Sequence, residues 1–185
     1  SADWYQGTAD AFRKQTLEIQ STGANYVLIL AGDHLYRMDY EAMAEYHWEN
    51  NADITIAVHP VSKEEVTRFG ILKRESDGRI TDFVEKPKDP RIQKKYISRD
   101  DPHKPFLASM GIYMFNTKIL MDLLKDFPHH DDFGGDIIPQ AIKSNAVYGF
   151  DFNGYWQDIG TNRSFYETNL ALTTPETPFN FYDAK

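Results

Sequence analysis

The 185-residue chain contains no cysteine, which excludes disulfides and thiolate metal sites and fits a reducing compartment. It also lacks any apolar run near the roughly 20 residues that span a bilayer, and no signal peptide opens it. Basic charge is in deficit: Lys and Arg number 20 against 28 Asp and Glu, a net charge of −8. That balance excludes the basic footprint needed to hold a nucleic-acid backbone, although local Lys and Arg could still serve a small phosphorylated ligand. No internal repeat or low-complexity block is visible. What remains, 41% hydrophobic and 26% charged, reads as one sizeable soluble globular domain with a cytoplasmic location and no membrane partner.

The stretch from Asn25 to Tyr40 organises the rest. Tyr26 to Leu30 is a continuous apolar run, expected to be a strand covered on both faces as in a parallel sheet. Ala31-Gly32 permits a tight turn, and Asp33 follows at the carboxyl end of the strand, where open α/β sheets place their ligands. A carboxylate there suits Mg²⁺, a hard cation that takes a few carboxylate oxygens plus substrate phosphates. Taken alone, Asp33 is equally compatible with a plain Asx-turn.

Around that strand the patterning alternates. Thr8 can cap a helix from Ala9 to about Ser21, with Gly23 placed to end it. Asp39 can cap a helix over Tyr40 to Asn50 that carries Met43, Ala44 and His47 on one face. Ile54 to Val58 reads as a strand, and Ser62 with Glu65 makes a capping box for one short turn. Phe69 to Lys73 and Arg79 to Val84 flank Asp77-Gly78, the dipeptide of type I′ hairpins.

Lys88 to Pro105, rich in charge and proline, reads as a mobile excursion. A strand over Leu107 to Phe115, a helix capped by Asn116 or Thr117, a helix over Ile137 to Ser144, an extended Val147 to Phe152 and a helix from Thr161 to Leu172 complete the pattern, with Thr173 to Lys185 as a linker. The alternation predicts a three-layer α/β domain, and the hairpin predicts that its sheet is mixed.

Three further stretches could carry chemistry. Asp158, in Gly154-Tyr155-Trp156-Gln157-Asp158-Ile159-Gly160-Thr161, is a second candidate carboxylate, or else a helix-dipole partner. Glu85-Lys86-Pro87 ends the hairpin. Neighbours in a strand point to opposite faces, so both charges reach one ligand only if the proline bends the chain there. Lys86 could then meet a phosphate while Glu85 accepts from hydroxyls. His129-His130-Asp131-Asp132 lacks the spacing of a zinc site and reads as a solvated loop. Asn162-Arg163-Ser164 matches a glycosylation tripeptide that a chain without a secretory signal does not use.

In order, Trp4 to Ala11, Gly32-Asp33-His34-Leu35-Tyr36, Phe69-Gly70, Phe83-Val84-Glu85-Lys86-Pro87, Ala108-Ser109-Met110-Gly111-Ile112-Tyr113, Asp132-Phe133-Gly134 and Tyr155 to Thr161 resemble the catalytic domain of the ADP-glucose pyrophosphorylases, the glucose-1-phosphate adenylyltransferases. The resemblance implies a Rossmann-like nucleotide-diphosphosugar transferase fold, a mixed sheet flanked by helices, over residues 1–172. It implies the reaction of ATP with α-D-glucose 1-phosphate to ADP-glucose and diphosphate, in glycogen or starch biosynthesis. Position by position, it implies that Asp33 and Asp158 hold Mg²⁺ and that Lys86 binds the sugar phosphate. Gly70, Glu85 and Ser109 would surround the sugar, Tyr5 would line the substrate site, and Tyr113 and Asp132 would be further sugar contacts.

The family's glycine-rich phosphate loop and its carboxyl-terminal β-helix have no counterpart here. The chain is therefore expected to be a catalytic-domain fragment, inactive alone, whose full-length form is a homotetramer under allosteric control. Gly135 stands where many relatives carry Lys. Two other readings follow from the same resemblance: a sugar-1-phosphate nucleotidyltransferase using dTTP or UTP, and a non-catalytic regulatory subunit. Retention of Asp33, Lys86 and Asp158 argues against the second.

Overall fold

The computed structural model describes residues 9, 13, 16–21, 23–30, 39–152, 168–172 and 180–183. In chain order the elements are α1 (Thr16–Ser21), β1 (Tyr26–Leu30), α2 (Tyr40–Glu49), β2 (Ile54–Val61), a 3₁₀ turn (Val66–Arg68), β3 (Gly70–Arg74), β4 (Ile80–Glu85), α3 (Pro90–Lys95), β5 (Phe106–Asn116), α4 (Thr117–Asp126), a π-helical turn (Phe133–Ile137), α5 (Ile138–Ile142), β6 (Val147–Asp151), β7 (Thr168–Leu172) and β8 (Asn180–Asp183). The strands join in one mixed sheet, in which β2 and β6 run parallel and the other pairings are antiparallel.

Strand β5 is the hub. One of its edges takes β2 along its length, while the other takes β3 near Ala108 and β1 from Ile112 onward. The two faces of the sheet have separate cores, because successive side chains alternate. Val27, Ile29, Ile56, Tyr113 and Phe115 pack with α1, α4, α5 and the π-helical turn, whereas Leu28, Leu30, Met110 and Met114 pack with Met43 and Ala44 of α2. A third cluster of Val61, Val66, Ile71, Phe106 and Ala108 lies where the β3–β4 hairpin joins.

Local chemistry explains several boundaries. The Asp39 carboxylate accepts from Ala42 N at 3.0 Å and starts α2. Ser62 and Glu65 form the reciprocal capping box, with Glu65 Oε1 accepting from Ser62 N and Ser62 Oγ accepting from Glu65 N. Gly23, with φ +69°, closes α1. Asn116 precedes α4 but makes no side-chain cap, because its Oδ1 lies 2.8 Å from His47 Nε2.

Five expectations are corrected. β1 is buried on both faces, but its two neighbours, β5 and β7, both run antiparallel to it. An apolar run reports burial on two faces, and antiparallel strands sandwiched between helices satisfy it equally well. Thr168–Leu172, expected at the end of a helix, is strand β7, because it pairs with β1; residues 161–167 lie outside the described set. Asn180–Asp183, within the expected linker, is strand β8 paired with β7. The Lys88 to Pro105 excursion contains α3, capped by Asp89 with Pro90 in its first turn. Finally, the hairpin turn is not type I′. Gly78 N donates to Glu75 O and only Gly78 has positive φ, which is a type I turn followed by a left-handed glycine bulge.

Candidate functional site

One rung of the sheet carries three of the candidate site residues, Gly70, Glu85 and Ser109. Gly70 pairs with Glu85 across β3 and β4. Ile71 pairs with Ala108, so the same register carried one residue further sets Ser109 beside Gly70. Ser109 in turn pairs with Val58. Gly70 and Glu85 share their face with Leu72 and Phe83, the next facing pair along the hairpin.

Gly70 is small for a reason that the sequence alone does not reveal. A Cβ there would lie 2.6 Å from Phe83 Cζ, 2.9 Å from Phe83 Cε2 and 3.2 Å from Glu85 Oε2. The glycine leaves room for the phenyl ring beneath it and the carboxylate beside it.

Lys86 breaks the strand alternation by its own backbone. Its φ is +45°, a left-handed conformation that costs a non-glycine residue on the order of 1–3 kcal/mol and persists where the surroundings over-determine it. Its N–H donates to Phe69 O at 3.0 Å, which fixes the turn against the start of β3. The bend expected from Pro87 therefore begins one residue earlier. Glu85 and Lys86 are thereby close enough to interact. Burial and the nearby Asp132 raise the Glu85 pKa, and the Lys86 ammonium pulls it back down.

Tyr113 and Asp132 complete the group. Beyond Ser109, β5 carries two extra residues relative to β2 between Ser109 and Tyr113, with Gly111 at φ +71° and its N–H donating to Ser109 Oγ at 3.2 Å. The bulge keeps Ser109 and Tyr113 on the same face, since their partners Val58 and Ile56 are two residues apart. The Tyr113 ring is buried and stacks on Phe133, with centroids 6.0 Å apart. Burial pushes its hydroxyl up to about 12, a hydrogen bond with Ser109 lowers it, and the charges of Asp132 and Glu85 raise it. Tyr113 therefore stays a neutral hydroxyl at any physiological pH. Asp132 starts the π-helical turn, its Oδ2 accepting from Gly135 N at 2.8 Å. A Cβ on Gly135 would lie 2.7 Å from that same oxygen.

The loop entering Asp132 is anchored from the other end of the chain. Arg13 donates to Phe127 O and His130 O at 2.8 and 2.7 Å, and Ala9 N donates to Asp131 O at 3.0 Å. His130 stacks on Phe127 and Asp131 pairs with Arg13, so the His129 to Asp132 run is occupied structurally. No group of three or more metal-ligating side chains occurs among the described residues.

Structure thus brings Gly70, Glu85, Lys86, Ser109, Tyr113 and Asp132 together. Asp33, Asp158 and Tyr5 lie outside the described residues. Phe83, Phe133 and Gly111 belong to the same neighbourhood; the sequence motifs contain all three but assign them no role in the site. A separate cleft of about 570 Å³ lies between the hairpin tip, residues 97–100 and Asp151, and contains none of these residues. Its Arg74 is already engaged by Asp151 at 2.9 Å and by Gly149 O.

Among the described residues no helix is long and apolar enough to cross a membrane. The chain is 42% identical over 192 residues to the glucose-1-phosphate adenylyltransferase small subunit, chloroplastic/amyloplastic, of Triticum aestivum. That similarity covers 98% of this chain and 41% of the relative, so the chain spans well under half of the relative's length. The Nucleotidyl transferase family matches residues 2–175. With that match over a mixed sheet flanked by helices, the chain belongs to the Nucleotidyl transferase family.

Proposed function

We propose that the protein containing this chain is a glucose-1-phosphate adenylyltransferase, joining ATP and α-D-glucose 1-phosphate to give ADP-glucose and diphosphate in glycogen or starch biosynthesis. The observation that carries this reading is the 42% identity, over 98% of this chain, to a relative of that name. The clustering of Gly70, Glu85, Ser109, Tyr113 and Asp132 beside Lys86 supports the sugar half of the site.

The chemistry suits those residues. A phosphate oxygen of the sugar phosphate attacks the α-phosphorus of ATP; the new O–P bond forms as the bond to the β-phosphate oxygen breaks, and diphosphate leaves with that electron pair. The nucleophile is supplied by the substrate, so the protein's task is to hold two mutually repelling anions in line and offset their charge. Lys86 offsets the sugar phosphate. Glu85 accepts from sugar hydroxyls, and the neutral Tyr113 and Ser109 hydroxyls beside it can donate or accept. Asp33 and Asp158, two hard carboxylates, would hold Mg²⁺, which when bound neutralises charge on the nucleotide phosphates. Tyr5 would line the substrate side.

A homotetramer with an allosteric site belongs to this reading, as does a cytoplasmic location, against which stands the plastid named for the relative. The test uses the complete protein, assayed with glucose 1-phosphate and each of ATP, dTTP and UTP, alongside Asp33→Asn and Asp158→Asn. The reading expects ATP to be preferred and each variant to lose about 100-fold or more in kcat. Preference for dTTP or UTP would reassign the base, and unchanged turnover in Asp33→Asn would reject it as a metal ligand.

A further inference from the structure

Besides the Tyr113 hydroxyl, three polar side chains are buried among the described residues: His47, Thr55 and Gln93. The first two account for each other, with His47 Nδ1 lying 2.6 Å from Thr55 Oγ1. Gln93 is different. It sits in the six-residue helix α3, is only 6% exposed, and its neighbour Ile92 is 40% exposed. Apolar burial alone would turn this helix the other way, isoleucine in and amide out. A specific bond must hold the observed orientation. Gln93 Nε2 donates to the carbonyl of Pro87 at 2.8 Å, and Pro87 is itself buried.

That carbonyl belongs to the residue directly after Lys86. The left-handed turn at Lys86 is thus pinned on both sides, by Phe69 O accepting from its N–H and by Gln93 gripping the next peptide. A strained backbone conformation relaxes when one of its restraints goes. Relaxation toward the extended region would restore strand alternation and send the Lys86 side chain to the face opposite Glu85.

We infer that Gln93 is a positioning residue for the sugar-phosphate site: its amide holds the Lys86–Pro87 turn in the geometry that brings the Lys86 ammonium to the Glu85 side of the sheet. The inference rests on the reading of Lys86 as the cation that meets the sugar phosphate. Asp89 and Pro90 start α3 so that Gln93 falls on its inner side, and Tyr96 at its end packs against the Val61 and Ile71 cluster.

The test is a double-mutant cycle in the complete protein. Gln93→Leu keeps the volume and removes the donor. It is expected to raise KM for glucose 1-phosphate about ten-fold, with KM for ATP changed by less than about two-fold. Lys86→Ala should raise the same KM by more, and Gln93→Leu added to Lys86→Ala should have no further effect on it, because the residue acts through Lys86. Should Gln93→Leu fail to fold, Gln93→Met, longer and unbranched like the glutamine, replaces it in the cycle. If the folded Gln93 variant leaves KM for the sugar phosphate unchanged, or raises it equally with Lys86 already gone, the inference is overturned while the site reading stands. If Lys86→Ala itself leaves that KM unchanged, the reading of Lys86 falls and takes the inference with it.

Discussion

Gly70 and Glu85 face each other across the β3–β4 hairpin, and the absence of a side chain on Gly70 is what lets the Phe83 ring and the Glu85 carboxylate both lie against it. A methyl group on Gly70 would approach that ring to 2.6 Å, closer than any real carbon contact. The ring, packed against the main core, has little freedom to retreat. Gly70→Ala is therefore expected to cost about 1–3 kcal/mol by overpacking and to disturb the Glu85 carboxylate as well. Adding Phe83→Leu should return part of the stability, so the two substitutions are non-additive. Chemical denaturation of the two single variants and the double variant measures this; strictly additive losses would show that the ring does not set the limit.

Glu85 supplies a prediction in pH. Burial and Asp132 raise its pKa above the ordinary carboxylate value, so as pH falls it takes a proton earlier than a free glutamate would. Protonation turns the carboxylate from a charged acceptor into a weaker neutral one, so its grip on sugar hydroxyls falls in that direction. KM for glucose 1-phosphate should rise as pH drops through the raised pKa, and Glu85→Gln should raise KM at neutral pH while flattening the acid limb. A variant that keeps the wild-type acid limb would assign that limb to another group.

How much of this was legible in the sequence depends on whether the cause is local. The Asp39 cap and the Ser62–Glu65 box need only residues three apart, and both stand as read. Likewise the Tyr26 to Leu30 run announces burial on two faces. Its direction does not follow, because β5 and β7, far along the chain, decide it. Thr168–Leu172 is extended for the same reason, since partner strands outweigh local preference.

At the site, the charged pair Glu85-Lys86 and the small Gly70 can be picked out by type. The left-handed backbone at Lys86 cannot, because residue identity at a lysine gives no hint of positive φ. Gln93 is still less visible: a glutamine among charged neighbours reads as surface, and only the Pro87 carbonyl shows why it turns inward.

Stability should also depend on pH through His59. The imidazole packs edge-on against Phe69, with ring centroids 5.5 Å apart. Burial pushes its pKa down to about 4, with Glu65 pulling it up and Lys104 pushing it further down. In the unfolded chain the ring returns to its ordinary value near 6.5 and binds a proton first as pH falls. Stability is therefore fully present above about pH 6.5 and is lost progressively between there and about pH 4. From pH 7.5 to pH 5 this one group accounts for a loss of about 2 kcal/mol. His47 adds in the same direction, its pKa lowered chiefly by burial. Urea unfolding of the wild type and of His59→Gln at both pH values isolates the contribution. The difference in stability between the two pH values should be smaller in the variant by about 2 kcal/mol, whatever the variant costs at neutral pH. An unchanged difference would mean that the folded protein accommodates the imidazolium at this position.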